Sequence, residues 1–478
     1  MKFKLLVLLL FILVLISCGQ SENIQKGDIT TTNSTDTQTD AVVNLQPEIK
    51  NFGGYDFRFH SAVNDDNRLF VVEEMNGDTI NDAVYLRNRA VEEKYNISIS
   101  VVKLADTASQ VSAVSKNVQA DDDFGDIAMI RLHSFFTLAQ EGYFYNWYDY
   151  DEVRLDKPWW DQRISDDLKI KNKLYTINGD FTTLDKLGTM VVMYNKKLYT
   201  DYEFENIYNI VTEGRWIFDR FWKMVVTTSK DLNGDGKMDK DDQFGILTEY
   251  SSLYYFYSGG GYRSIQLKAD GSYEIAIGTE KAVNIIEKIL VLGTEKDKYS
   301  LIADDGKVPG IYDTSKGMFR SDQGLFLAGT FNAVTTFRDM QSDYSVLPIP
   351  KYDEIQKEYY CLVTWNDQPA AMPITIKDPN RTALIMEAIG YESGSGMREA
   401  FYDTFLVGKL IRDEETVGML DLIFASKTYD LDWYAGISGL LTILNNIGKS
   451  GNNNFVSEYA KIELQAQAKL EAFLNDFK

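Results

Sequence analysis

Residues 79–104, TINDAVYLRNRAVEEKYNISISVVKL, hold two hydrophobic periods in succession. From Thr79 to Tyr95 the apolar residues Ile80, Ala83, Val84, Val91 and Tyr95 fall largely on one face at helical spacing, and Thr79 with Asp82 three residues on resembles a capping box. From Ile97 to Leu104 apolar and polar residues alternate as in a strand. Upstream, Tyr55–Ala62 alternates too, with Tyr55, Phe57 and Phe59 at period two. Downstream, Gln110–Val118 reads as a helix, Asp126–Ile130 as a short apolar strand, and His133–Gln140 as a helix closed by Gly142. That βαβαβα order predicts a mainly parallel sheet with helices on both faces.

After Lys186 the rhythm restarts. Met190–Tyr194, Phe244–Leu247, Gly324–Ala328 and Tyr344–Pro348 read as strands, and Glu213–Met224 and Glu280–Val291 as helices. Ala370–Ile376 resumes a strand before a helix at Asn380–Gly390, and Asp413–Lys427, Trp433–Asn445 and Val456–Leu474 are helical. Two α/β lobes with more than one chain crossing between them explain this order, and no internal repeat is visible. A length of 478 residues suits such a plan, and 44% hydrophobic with 25% charged residues describes a water-soluble globular body. The net charge of −22 repels phosphate backbones, which argues against a nucleic-acid partner. With 2 His and 2 Cys the chain has too few for a zinc finger, an iron–sulfur cluster or a disulfide framework.

The first residues carry Lys2 and Lys4 and an apolar run from Leu5 to Ile16, too short for the ~20 residues of a membrane span but suited to a signal peptide over 1–17. It ends at Leu15-Ile16-Ser17-Cys18-Gly19, which resembles a bacterial lipobox, with Cys18 the lipidated residue. Residues 18–49, rich in Ser, Thr, Asn, Asp and Gln, read as a flexible tether between a membrane lipid and the folded body. Cys361, in the strand-like Tyr359-Tyr360-Cys361-Leu362-Val363, reads as a small core residue.

Asp231–Asp242 has the spacing of a calcium loop. Asp231, Asn233, Asp235, Asp239 and Asp242 place oxygen side chains at positions 1, 3, 5, 9 and 12, with Gly236 at the sharp turn and Lys237 offering its backbone carbonyl. Position 12 is Asp242 where the EF-hand pattern has Glu, a departure shared with dockerin-type loops. A bound calcium ion would be structural, neutralising four clustered carboxylates.

Several segments together carry a resemblance. Asn81–Asn96, Ala139-Gln-Glu-Gly-Tyr143, Lys157-Pro-Trp-Trp160, Met193-Tyr-Asn-Lys196, Gln243-Phe-Gly245, Leu347–Asp353 and Leu410–Glu415, in this order behind a lipobox, resemble bacterial extracellular solute-binding lipoproteins of family 1, the carbohydrate receptors of ABC importers. The resemblance runs from about Gly53 to the C-terminus and implies a type II periplasmic-binding-protein-like α/β fold. Its two lobes, 50–185 with 370–408 and 186–369 with 409–478, would be joined by crossings near Gly179–Met190, Gln368–Met372 and Val407–Leu410.

It also implies a ligand cleft. Asp432-Trp433-Tyr434-Ala435 resembles the family segment whose Trp stacks on sugar, and Glu249-Tyr250 one whose Tyr stacks; Phe331 and Asn332 stand where the family has Gly-Pro-Trp. Asp126, Arg131, Asp180, Trp365 and Asn366 are the polar and aromatic candidates around these, because aromatic faces meet pyranose C–H faces and polar groups meet hydroxyls. The expected partners are a carbohydrate, the permease subunits and, through the lipid, the membrane, with the protein a monomer facing outside the cytoplasm. Two other readings share these features: an anchored glycoside hydrolase, which needs two carboxylates about 5–10 Å apart, and a calcium-binding adhesin or scaffold.

Overall fold

The apolar runs Ile127–Met129, Met190–Asn195, Phe244–Glu249 and Gly324–Thr330 become strands buried on both faces. The computed structural model describes residues 45–62, 70–303, 311–406 and 414–477. Its strands, among these residues, are β1 (Tyr55–Ala62), β2 (Ile97–Leu104), β3 (Ile127–Met129), β4 (Met190–Asn195), β5 (Phe244–Glu249), β6 (Ile265–Leu267), β7 (Tyr273–Ile275), β8 (Ser300–Ala303), β9 (Gly324–Thr330), β10 (Tyr344–Leu347), β11 (Cys361–Leu362), β12 (Ala370–Ala371) and β13 (Lys427–Thr428). One sheet has the order β12–β3–β1–β2 and a second β10–β4–β9–β5–β8, with short ribbons β11–β13 and β6–β7. β1 pairs in parallel with β2, Tyr55 opposite Ile97 through Ala62 opposite Leu104, and in parallel with β3. In the second sheet β5 is parallel to β8 and β9, whereas β4 runs antiparallel to β9 and β10.

All six residues of β4 are buried, as expected of a strand with helices on both sides. Its alternate side chains go opposite ways: Met190, Val192 and Tyr194 join one hydrophobic cluster, Val191 and Met193 the other. β3 divides likewise, Ala128 into the first and Ile127 with Met129 into the second. Each apolar layer therefore runs under both sheets, and Gln46–Lys478 forms one compact unit.

Two segments carry the chain between the sheets, side by side, the first of them containing the short Leu184–Leu187 helix. Ile177 bridges Ala370 of β12 at one end, and Thr189, just before β4, bridges Val363 at the other. Residues 407–410, read as a third crossing, lie outside the described residues, as do Cys18, the signal segment and most of the tether. The Pro379–Leu406 helix itself reaches across. Its first part packs on the Thr79–Tyr95 helix. Beyond a break in helical geometry at Gly394, Phe401 and Phe405 pack on Phe331 and Phe424.

Some boundaries move. Asp78, not Thr79, caps the first helix by accepting the Asn81 N–H, while Asp82 reaches back to the Asn76 N–H at 2.9 Å. The helix expected at Glu213–Met224 is Phe218–Thr228: Gly214 (φ +72°) ends the preceding turn and Ile217 bridges Lys351. Ala370–Ile376 keeps only two strand residues, since Pro373 has no N–H for a ladder. Lys427 leaves the helix now spanning Glu414–Ala425 and enters β13. The helix expected at Trp433–Asn445 is two, Leu431–Ala435 and Leu440–Ser450, parted by left-handed Gly436 and Gly439.

Candidate functional site

Side chains at the carboxyl ends of parallel strands face a crevice, and β3 delivers Arg131 there as the residue that starts the Leu132–Gln140 helix. Its guanidinium lies 3.5 Å from Oδ1 of Asn366. The backbone of Trp365–Asp367 is stitched to the same helix start, with Leu132 N–H donating to Asp367 O and His133 N–H to Trp365 O. The Trp365 indole lies parallel to that of Trp433, ring centres 4.5 Å apart and planes within 12°. Trp433 is 3% exposed and its flanks are taken by Tyr254 and Tyr255. A cavity of about 220 Å³ opens beside them, lined by Leu184, Leu187, Gly188, Thr330, Asn332, Thr364, Asn366 and Asp367. Asn332 and Asn366 are exposed, so their amides are available to a guest.

Beneath this cavity lies a buried polar knot between the two crossings. Lys427 Nζ is 2.6 Å from Asp161 Oδ2 and also bonds Asp185, while Tyr429 donates its hydroxyl to Asp161. Asn178 donates to Asp367 at 3.0 Å. Burial, reinforced by the nearby Asp185, pushes Asp367 well above its ordinary carboxylate value. Burial opposes ionisation of Asp161 as well, but the Lys427 ammonium, with hydrogen bonds from Tyr429 and the Arg163 N–H, holds that carboxyl below its ordinary value.

The sequence-derived set is thus partly gathered. Asn332 and Asn366 line one cavity, Arg131 reaches Asn366, and Trp365 stacks on Trp433, but neither indole is part of that cavity's lining. Phe331, beside Asn332, turns inward onto Phe405 and Phe424 and is fully buried. Asp126 precedes β3 and so stands at the opposite end of that strand from Arg131, where its carboxylate accepts from Tyr55 OH (2.6 Å) and Arg58 N–H (2.8 Å). Tyr250 packs on Gly448 beneath the ammonium groups of Lys296 and Lys449. Asp180 pairs with Lys186 in a separate cavity of about 470 Å³ that also takes in Trp159, Trp160, Arg398 and Tyr402. The sequence reading did not single out Thr330, Thr364 and Gly188; their signal is only adjacency to residues that it did. Cys361 is buried in β11 and its thiol is pushed up to about 12 by burial, the state of an inert core residue.

In the Asp231–Asp242 loop, Gly234 (φ +77°) and Gly236 (φ +78°) fold the chain back so that the Asp231 carboxylate accepts both their N–H groups. Asp242 accepts from Leu232 and Asp239, and a bridge between Lys230 and Gln243 closes the base. Among the described residues, no three acidic, His or Cys side chains are gathered as a metal-holding group.

No family model matches the chain, and none of the curated proteins matches it in sequence. Solved structures do match. UspC of M. tuberculosis superposes with a TM-score of 0.58 at 13% identity, over 87% of this chain and all (100%) of that one. A cyclo/maltodextrin-binding protein complexed with maltotetraose gives 0.55 at 15%, over 88% and 96%. An ABC substrate-binding protein from Listeria monocytogenes in complex with cycloalternan gives 0.54 at 13%, over 87% and 99%. At such identities the likeness is one of fold, and the fold is the α/β type II periplasmic-binding-protein fold.

Proposed function

We propose that this chain is a sugar receptor of an ABC importer. It is held outside the cytoplasm by lipid on Cys18, and it hands its ligand to the permease subunits without any catalytic step. The observation that carries the reading is a cavity lined by Asn332, Asn366, Thr330 and Thr364, with Arg131 3.5 Å from Asn366 and a stacked pair of indoles, Trp365 and Trp433, on the adjoining backbone. Flat apolar faces beside neutral hydrogen-bonding groups suit a pyranose ring. The solved structures of the same fold, two of them described as complexes with maltotetraose and cycloalternan, support the same class of ligand. The body divides into lobes of residues 50–185 with 370–408 and 186–369 with 409–478, and ligand bridging them shifts an open–closed equilibrium by its differential affinity.

Solution scattering of the full chain with and without a saturating sugar tests this. The radius of gyration is expected to fall on binding, with the sugar recovered intact. An unchanged radius argues against closure, and turnover of the sugar would make the protein a hydrolase instead. In the same reading, one structural calcium ion would draw together Asp231, Asn233, Asp235, Asp239, Asp242 and the Lys237 carbonyl, a spacing the sequence supplies.

A further inference from the structure

Residues 161–175 belong by chain order to the first lobe, and both ends of the stretch are tied there. At one end Asp161 N–H donates to Asn178 O at 2.8 Å and Trp160 bridges Gly179; at the other, Trp147 N–H donates to Leu174 O at 2.8 Å. The middle sits on the second lobe instead. The Gln162–Asp167 helix ends at a carboxylate, Asp167 Oδ2, that accepts from Thr428 Oγ1 (3.0 Å) and Tyr429 N–H (2.8 Å) at β13. Beyond it the Tyr273 hydroxyl of β7 donates to Lys169 O and accepts from Lys171 N–H, each at 3.2 Å, and Lys171 Nζ reaches Phe477 O at 3.1 Å. We infer that residues 162–173 are a strap that latches the lobes together, seated on β13, β7 and the C-terminal segment when the lobes are shut and lifted off when they part. This inference rests on the two-lobe receptor reading and names what, besides the ligand, holds the shut state.

A single contact between two moving bodies can lie on their axis and survive the motion. Contacts with three separate elements of one lobe, made by a stretch anchored at both ends to the other, do not share one pivot, so parting the lobes breaks some of them. The tie at Asp161 is of another kind. Lys427 bonds both Asp161 and Asp185, and Asp185 lies on the first crossing itself, so this pair stands at the pivot and holds the root of the strap in either state. The tip is shaped for seating. Ile170 and Lys173 pair across a two-residue turn whose central residues, Lys171 (φ +48°) and Asn172 (φ +62°), are both left-handed. That conformation is tolerated by Asn and unfavourable for Lys, and the contacts of Lys171 with Tyr273 and Phe477 offset its cost while the strap is down.

The test uses the full chain. The wild type is titrated calorimetrically with glucose, maltose, maltotetraose and cycloalternan, and the sugar bound most tightly is carried forward. Amide hydrogen exchange is then read at Lys171 and Tyr429, whose N–H groups seal the strap, with and without saturating sugar. Relative to the amides of the buried strand β4, both are expected to exchange about 10-fold more slowly at saturation. Tyr273→Phe and Asp167→Ala, neither of them at a residue lining the crevice cavity, are each expected to weaken binding of that sugar about 5-fold, as a lost hydrogen bond does, and the double variant about 25-fold. Their radius of gyration at saturation is expected to match that of the wild type. Exchange at the two amides that sugar leaves unchanged means that the strap never lifts and overturns the latch, as does wild-type affinity in both folded variants; either result leaves the receptor reading standing. A wild type that binds none of the four sugars overturns the receptor reading and the latch with it. Should the variants fail to fold, the exchange comparison on the wild type decides.

Discussion

Asp430 places a carboxyl in full burial, with one oxygen capping the Asp432 N–H at 2.9 Å. Burial, only partly opposed by Arg263, pushes its pKa from 3.8 up to about 7. The folded chain thus keeps a proton that the unfolded chain releases between about pH 4 and 7. The site's contribution to stability falls as pH rises through that window and is lowest above it. Asp430→Asn retains the cap and carries no charge. It is expected to add roughly 2–4 kcal/mol to the urea-unfolding free energy at pH 8 and little at pH 4; equal effects at both pH values would remove the titration argument. Single residues also show where sequence reading reaches its limit. Trp433 is legible because its segment is continuous, but its cover by Trp365 depends on a ribbon pairing that neither segment announces. Asp126 was a reasonable candidate as a polar residue at a strand start; only the parallel direction of β3 puts that start at the far edge of the sheet.

Elements with an uninterrupted period were legible almost to the residue. β1, β2 and the Thr79–Tyr95 helix stand where alternation and helical spacing put them. Reading failed where tertiary pairing competes with local pattern, as at Lys427, drawn from a helix end into β13, and at Gly436 and Gly439, whose left-handed turns split an apolar stretch. The calcium loop is legible as a turn of defined geometry, and its ion is tested separately. Adding calcium to chelator-treated protein is expected to raise Tm and chelator to lower it again, because the ion would relieve repulsion among four carboxylates. A Tm indifferent to both would leave the loop as a turn held by its own Asp side chains.

On the scale of the whole molecule, acid outnumbers base, with a net charge of −22, so the surface favours neutral or cationic guests over polyanions. The same imbalance recurs in miniature where the crossings meet: Asp161, Asp185 and Asp367 surround Lys427. The continuity of each apolar layer beneath both sheets has a thermodynamic consequence. Unravelling one sheet would strip apolar cover from the other, so neither is expected to survive alone. Scanning calorimetry is expected to give one endotherm whose measured enthalpy equals its van't Hoff enthalpy, whereas two resolved peaks would mean halves that melt independently. Two sheets that share their apolar cover are thus bound to a single melting point.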